Sequence, residues 1–338
     1  MAWLRKNWFL VGIVCALVAG FFLADGAETV NPGGWTHRVI VIVLFLITGF
    51  TLPSDRIRSD LAAPRLHLLI QIVIFVVAPA LFLTARLFFA DAMDGQLLIG
   101  IYALAVLPTT VSSCVVFTQS TGGNTVAAIF NAAFANTIGI ILSPLLLSLL
   151  ISSAGRVLPV GQLLSTLQSL ALNMLLPIAM GQVVRIFFRS FADRHRKKFG
   201  VASNSLILLV VLLAFARTAA NPHLGGYARE LPWALVYLAA VHLVLVGIAL
   251  AAGKLLRLSV PDRITAMFVA PQKTLALGAP LLTIYFSGQE ILGIALLPLV
   301  FYHPFQLFVA GLLKGLPFVR RLSSGGHSDD GRALRGAP

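Results

Sequence analysis

The sequence predicts an all-α polytopic membrane protein. Of its 338 residues, 58% are hydrophobic and only 11% are charged, whereas a soluble domain carries about 25% charged residues. Apolar runs long enough to cross a hydrocarbon core of about 30 Å recur along nearly the whole chain. The net charge of +13 does not indicate a nucleic-acid partner, because the basic residues stand in short clusters between apolar runs and not on one solvated face. We expect the lipid bilayer to be the principal surroundings of this chain.

Ten membrane-spanning segments account for the apolar runs. The first follows Arg5 and Lys6 as a signal peptide would, but the many similar segments after it favour a retained span. We expect a transporter domain over 1–313 and a polar, largely disordered cytoplasmic tail over 314–338. The predicted segments, numbered 1 to 10 in order, are 8–24, 36–53, 66–88, 97–117, 124–151, 163–188, 203–220, 232–255, 264–286 and 291–313.

The basic residues predict the orientation of these segments, because Lys and Arg are enriched in cytoplasmic loops. With a cytoplasmic N-terminus, the cytoplasmic side receives Arg5, Lys6, Arg56, Arg58, Arg65, Arg185, Arg189, Arg194, Arg196, Lys197, Lys198, Lys254, Arg257, Arg263, Lys314, Arg320, Arg321, Arg332 and Arg335. The other side receives Arg38, Arg86, Arg156, Arg217 and Arg229. We therefore expect both termini in the cytoplasm. We also expect the protein in the plasma membrane, and specifically in a bacterial inner membrane.

Ten segments divide into two sets of five, over about 1–151 and 163–313. Because each set has an odd number of spans, the second set must run inverted in the membrane. In transporters built from inverted repeats, the binding site lies near the midplane, where interrupted helices of the two halves meet.

Segments 4 and 9 each contain a proline near their centre. Segment 4 reads Leu-Pro-Thr-Thr-Val-Ser-Ser-Cys over 107–114, and segment 9 reads Ala-Pro-Gln-Lys-Thr over 270–274. Proline removes a backbone donor and disturbs the preceding turn, and the freed groups need a partner from protein, water or ligand. We expect 108–113 and 271–274 to be non-helical and adjacent. The alternative is that Pro108 only kinks its helix, with Ser and Thr bonding back to their own main chain.

Lys273 is the ionisable residue, histidines apart, that falls near mid-membrane, where a charge is a functional-site hypothesis by default. All twelve carboxylates fall in loops, segment ends or the tail. Helices that resume near Ser112 and Thr274 present positive N-terminal ends, so an anion is favoured. The alternative is that the Lys273 amine is tied to freed carbonyls. The candidate substrate- or ion-binding residues are Pro108, Thr109, Thr110, Ser112, Ser113, Asn131, Pro271, Gln272, Lys273, Thr274 and His303.

Three stretches resemble the bile acid:sodium symporter family, and its SBF-like branch in particular. They are Gly-Gly-Asn at 122–124, Ala-Ala-Ile-Phe-Asn at 127–131 and Gln-Lys-Thr-Leu-Ala-Leu-Gly at 272–278. The resemblance covers nearly the whole membrane region. It implies ten spans in inverted five-span repeats, a panel domain beside a core domain, crossing broken helices 4 and 9, and transport of an organic anion.

The match to the broader family is incomplete at the positions that the family uses for sodium. Pro108 and Ser113 match its Pro-Gly-Gly-Thr-Ala-Ser-Asn motif, while Thr109, Thr110 and Cys114 do not. Gln272 matches a family glutamine, but Phe268 stands at the position of the sodium-binding glutamate. Tyr302-His303 is similar to the family's Trp-His pair. We therefore expect sodium to bind weakly or not at all, with a proton at Lys273 as the other candidate coupling ion.

Two other functions stay open at this point. An exchanger of inorganic cations and protons normally needs a buried aspartate, which the sequence does not offer. A membrane regulator without transport is not excluded by any sequence feature. An enzyme is not expected, because no HExxH or GxSxG motif is present, and no cofactor is expected beyond a coupling ion.

Overall fold

The computed structural model describes residues 8–52, 63–89, 95–153, 168, 171–220, 227, 229–285, 292–317 and 319. Within these ranges every regular element is helical. The α-helices are α1 Trp8–Phe22, α2 Ala27–Val30, α3 Trp35–Thr51, α4 Pro64–Ile72, α5 Ala78–Leu83, α6 Ala85–Phe89, α7 Gly95–Val106, α8 Ser112–Ser120, α9 Thr125–Ser153, α10 Leu176–Arg194, α11 Arg196–Ala219, α12 Leu231–Leu255, α13 Val260–Val269, α14 Leu275–Tyr285 and α15 Leu292–Gly315. Short 3-10 turns lie at Ala24–Gly26 and Pro32–Gly34, and π-helical turns at Val73–Val77 and Ala171–Leu175.

Seven helical stretches of the described residues are long and apolar enough to cross a membrane. They coincide with predicted segments 2, 3, 5, 6, 7, 8 and 10. Segments 1, 4 and 9 correspond to the shorter apolar helices Val11–Phe22, Gly95–Val106 and Leu275–Tyr285. The chain is therefore an integral multi-pass helical membrane protein, while the count of ten spans and the inverted repeat stay predictions. Most of the predicted tail, from 320 onward, lies outside the described residues.

The long helices pack as two groups. In the first group, α10 lies along α3, and α11 lies along α1 and α3. Glycines allow the α3–α10 contact, because a Cβ atom at Gly49 or Gly181 would collide with main-chain atoms of the facing helix. The second group consists of α4 to α9 and α12 to α15, with α15 packed on α7 and α8 packed on α13. The groups meet where α11 contacts α14 and α15.

The turn between α8 and α9 attaches both of these helices to α13. Gly122 has a φ of 74°, a conformation that a side chain disfavours, and this tight turn delivers Asn124 to the start of α13. The Asn124 side chain donates to Asp262 Oδ1 at 2.9 Å, and its main-chain N–H donates to the Pro261 carbonyl at 3.2 Å. The first turn of α13 is thereby held against the turn that follows α8.

Candidate functional site

The helix over predicted segment 4 is interrupted at its centre. α7 ends at Val106, residues 107–111 are not helical, and α8 begins at Ser112. The interruption, called the first break, spans residues 107–111 and contains Pro108, which cannot supply the N–H that a continuing helix needs. The expectation of a non-helical stretch through Ser113 was too long, because Ser112 and Ser113 form the first turn of α8.

A second break lies over residues 270–274, between the end of α13 at Val269 and the start of α14 at Leu275. The two breaks touch, as their prolines predict. The Thr274 N–H donates to the Pro108 carbonyl at 2.9 Å. The hydroxyls of Thr110 and Ser113 both donate to Gln272 Oε1, at 2.5 and 2.8 Å.

At each break, side chains of one long helix pair with the free main-chain groups. This helix is α9 for the first break and α15 for the second. On α9, the Ser143 hydroxyl donates to the Val106 carbonyl at 2.7 Å, and Asn136 Nδ2 donates to the Thr109 carbonyl at 2.8 Å. These two residues are seven apart, so they lie on the same face of the helix. The main-chain groups freed at the first break are therefore paired inside the protein, as an apolar surrounding requires.

On α15, the side chains of Gln306 and Tyr302 form hydrogen bonds with main-chain groups of the second break. Gln306 Oε1 accepts from the Lys273 N–H at 2.7 Å, and Gln306 Nε2 donates to the Lys273 carbonyl at 2.8 Å. The Tyr302 hydroxyl donates to the Pro271 carbonyl at 3.0 Å and accepts from His242 Nδ1 at 2.8 Å. Tyr302 and Gln306 are completely buried, so these bonds are shielded from water.

The Lys273 side chain is 1% exposed and points into the protein interior. Its ammonium donates to three main-chain carbonyls, those of Ile74 at 3.1 Å, Ala105 at 2.9 Å and Leu107 at 2.9 Å. Lys273 was expected to face the polar cavity and to contact the anion. The structure instead shows the alternative arrangement, in which the amine donates to freed main-chain carbonyls.

A cavity of about 320 Å³ lies between the two groups of helices and reaches both breaks. We call it the central cavity. From the first group it is lined by Phe9, Thr48, Thr51, Leu52, Arg196, Gly200, Ser203, Asn204 and Ile207. From the second group it is lined by Thr110, Val111, Ser112, Ser113, Ala133, Asn136, Thr274, Leu275, Ala276 and His303.

The electrostatics of the central cavity favour a negatively charged ligand. Arg196 supplies a permanent positive charge, and none of the described lining residues is acidic. The first residues of α8 and α14 also line the cavity, and the N-terminal end of a helix carries a partial positive charge and main-chain N–H donors. Hydroxyls beside these ends add further hydrogen-bond donors.

The structure places the predicted site residues in three locations. Thr110, Ser112, Ser113, Thr274 and His303 line the central cavity. Pro108, Thr109, Pro271, Gln272 and Lys273 form the breaks themselves and do not line it.

Asn131 lies in neither of these places. Its Nδ2 bonds His67 Nδ1 at 2.8 Å, and its Oδ1 accepts from Gln71 Nε2 at 3.2 Å. Asn131 therefore joins α9 to α4, in the buried interior of the second group.

His303 meets the cavity as the sequence predicts. Its ring lies edge-on to the Phe9 ring, with 5.6 Å between centroids, and Gln306 Nε2 is 3.2 Å from its Nδ1. Because the amide nitrogen is a donor, Nδ1 is the acceptor and the ring proton sits on Nε2. The neutral ring therefore has its N–H donor on the side away from Gln306.

Sequence reasoning missed the half of the cavity that the first group supplies. Arg196 belongs to a run of six basic residues between 185 and 198, and nothing in the sequence distinguishes the member that lines the cavity. Ser203 and Asn204 carry a signal, because they are a polar pair at the start of an apolar run. Among the described residues, no carboxylate is buried and no group of His, Cys, Asp or Glu could hold a metal ion.

Comparisons with known proteins identify the family of the chain. The chain matches the SBF-like CPA transporter family over residues 7–316. A protein named sodium/bile acid cotransporter 7 from Danio rerio is 33% identical over 334 residues, covering 96% of this chain and 97% of that protein. The protein of the same name from Mus musculus is 31% identical over 315 residues, covering 91% and 92%.

A bacterial relative shares the same extent of similarity. An uncharacterised protein from Pseudomonas aeruginosa is 30% identical over 310 residues, covering 90% of this chain and 91% of that protein. The similarity therefore spans both groups of helices and both breaks. The chain belongs to the SBF-like CPA transporter family.

Proposed function

We propose that this protein is a secondary transporter that moves a small organic anion by alternating access, and that the central cavity is its binding site. One observation supports the proposal most strongly. The cavity lies between two groups of helices and collects Arg196, two helix N-termini and four hydroxyl side chains in or next to the breaks, while none of its described lining residues is acidic.

The anion would contact both groups of helices. Arg196 would pair with its charged group, and the hydroxyls of Ser112 and Thr274 would donate hydrogen bonds to it. Apolar lining residues such as Phe9 and Ile207 would contact a carbon skeleton. The names of the relatives in Danio rerio and Mus musculus include bile acid, from which we carry over only the class of organic anion.

Transport would follow from rocking of one group against the other. We propose ten spans in two inverted repeats, with the first group as a panel and the second as a core that carries the breaks. The cavity is lined by the end of α3 and the start of α11, and from the distribution of basic residues we expect both at the cytoplasmic side. The state described would then be open or nearly open to the cytoplasm, with both termini on that side.

The coupling ion is the second part of the proposal. Sodium and the proton are the two candidates, and we expect sodium to bind weakly because Phe268 replaces the family glutamate. The alternative of cation/proton exchange is disfavoured, since no described carboxylate is buried. A regulator without transport is the remaining alternative, and measurement of uptake separates it from both transporters.

The test begins with thermal stability of the purified protein in the presence of carboxylates, sulfonates and bile acids, because a ligand that binds the native state raises Tm. The anions that stabilise the protein are then used in uptake measurements in proteoliposomes, with a sodium gradient, a proton gradient or neither. We expect saturable anion uptake that a sodium gradient does not accelerate. Uptake of sodium or rubidium driven by a proton gradient, without anion transport, would establish the exchanger instead.

Arg196→Ala supplies the residue-level test of the site. Loss of a charge-assisted hydrogen bond removes about 1.5–3 kcal/mol, so we expect the anion Kd to rise by about 10- to 100-fold. Lys197→Ala is the matched control, because Lys197 is the next residue of α11, is exposed and does not line the cavity. Equal weakening by the two substitutions would reveal only a general effect of surface charge.

A further inference from the structure

The three carbonyl oxygens around the Lys273 ammonium come from separate features of the fold. Ala105 lies in the last turn of α7, and Leu107 lies just beyond it in the first break. Ile74 lies in the π-helical turn Val73–Val77 between α4 and α5. We call the main-chain oxygens of Ile74, Ala105 and Leu107 the carbonyl site.

Each of these oxygens has lost its ordinary partner for a reason visible in the main chain. Helix α7 ends at Val106, so Ala105 and Leu107 have no helical N–H four residues on. In the π-helical turn the Ala78 N–H bonds the Val73 carbonyl, five residues back. The next bond of that register would come from residue 79 to the Ile74 carbonyl, but Pro79 has no N–H. The carbonyl site is therefore built into the backbone and is not created by Lys273.

The contacts match the charged form of the amine. Three acceptors surround Nζ, and the charged ammonium carries three donors, whereas a neutral amine carries two. The ammonium also lies at the C-terminal end of α7, where the helix dipole is negative. No carboxylate among the described residues is buried, so the compensation for the buried charge comes from these main-chain dipoles.

Main-chain carbonyls at interrupted helices are the ligands with which transporters and channels hold alkali cations. We propose that the carbonyl site is a monovalent-cation site whose permanent occupant is the ammonium of Lys273. The lysine thus supplies, by a covalent tether, the positive charge that a dissociable ion would otherwise bring to the crossing of the breaks. Wild-type protein then needs no free cation at this point, whichever ligand the central cavity carries.

A simpler role would be structural, with Lys273 acting only as a hydrogen-bond donor whose charge does not matter. The two roles differ in what can replace the side chain. A structural hydrogen-bond donor can be replaced by another donor of suitable length, such as the side-chain amide in Lys273→Gln. A tethered cation is replaced by a diffusible cation that enters the space left by Lys273→Ala.

The experiment measures Tm of purified wild type, Lys273→Ala, Lys273→Gln and Lys254→Ala at constant ionic strength. Choline chloride is replaced stepwise by sodium chloride or by n-propylammonium chloride, which carries the carbon chain and ammonium that Lys273→Ala removes. Lys254 is the matched control, because it is exposed near the C-terminal end of α12. The readout is stability, so it does not depend on transport or on the identity of the anion.

We expect Lys273→Ala and Lys273→Gln to have a lower Tm than wild type in choline. In Lys273→Ala a saturable rise in Tm should follow addition of sodium or n-propylammonium. Wild type and Lys254→Ala should not respond to n-propylammonium, and any rise in sodium should be smaller than in Lys273→Ala. If Lys273→Ala cannot be isolated in choline, recovery of folded protein in sodium or n-propylammonium is the same result. Failure in every buffer, full stability of Lys273→Gln in choline, or responses of wild type to sodium and n-propylammonium as large as those of Lys273→Ala would overturn the proposal.

Discussion

The two breaks at the centre of the molecule have similar main chains and different side chains. The first break carries short side chains, and Asn136 and Ser143 of α9 pair with its carbonyls. The second break carries Gln272 and Lys273, whose long side chains reach across to the first break. Lys273 therefore donates to the main chain at the first break. Gln272 does the opposite, because its Oε1 accepts from the hydroxyls of Thr110 and Ser113.

This difference separates the charges at the crossing. The Lys273 ammonium lies at the C-terminal end of α7, whereas the N-terminal ends of α8 and α14 open on the central cavity. A cation and an anion can then occupy opposite sides of the same crossing, each at the helix ends whose dipole favours it. The crossing can hold a buried positive charge and still present a site for an anion.

The largest effect on stability, Lys273 itself apart, is expected for Gln306→Leu. Leucine leaves the N–H and the carbonyl of Lys273 without their partners at a position that water does not reach, because Gln306 is completely buried. Each buried unsatisfied group costs about 1–3 kcal/mol, so the free energy of unfolding should fall by about 2–5 kcal/mol. Chemical denaturation in detergent measures this loss.

Gln119→Leu is the matched control for that prediction. Gln119 lies on α8 in an exposed position, so the same chemical change should alter stability by less than about 0.5 kcal/mol. A similar loss in both variants would mean that the amide of Gln306 does not specifically support the second break.

An intermediate effect is expected for Ser143→Ala, which acts on the first break. The Ser143 hydroxyl is completely buried and donates to the Val106 carbonyl at 2.7 Å. Its removal leaves one carbonyl unpaired, so the free energy of unfolding should fall by about 1–2 kcal/mol. Ser120→Ala, on the exposed end of α8, is the control. A loss as large as that of Gln306→Leu would show that the first break depends on side-chain donors as much as the second does.

The sequence predicts the positions of both breaks because proline acts locally, through its own missing N–H. It does not predict the direction of Lys273. The acceptors of its ammonium are main-chain carbonyls, which any residue possesses, and they lie 166 to 199 positions away in the chain. The membrane environment is also predictable, because it follows from composition alone. A chain that is 58% hydrophobic and 11% charged has too much apolar surface for water, whichever residues contact one another.

The inward direction of Arg196 is equally hidden from the sequence. Its neighbours Lys197 and Lys198 have the same chemistry and are exposed. Which member of a basic cluster enters a cavity depends on the rotation of α11 against α3 and α14, and that rotation follows from packing. For Asn131 the sequence identifies a buried polar residue, but its partners His67 and Gln71 lie on a helix distant in sequence.

The smallest effect on stability is expected for Asn136→Ala, two turns before Ser143 on the same face of α9. Asn136 Nδ2 donates to the Thr109 carbonyl at 2.8 Å, but Asn136 also lines the central cavity. A water molecule there can donate to Thr109 in place of the amide, at little cost in free energy. The free energy of unfolding should therefore fall by less than about 1 kcal/mol, measured beside Ser143→Ala in one denaturation series. A cost equal to that of Ser143→Ala would mean that water does not reach the first break from the cavity, and the hydroxyls of that break would then be unavailable to a dissolved anion.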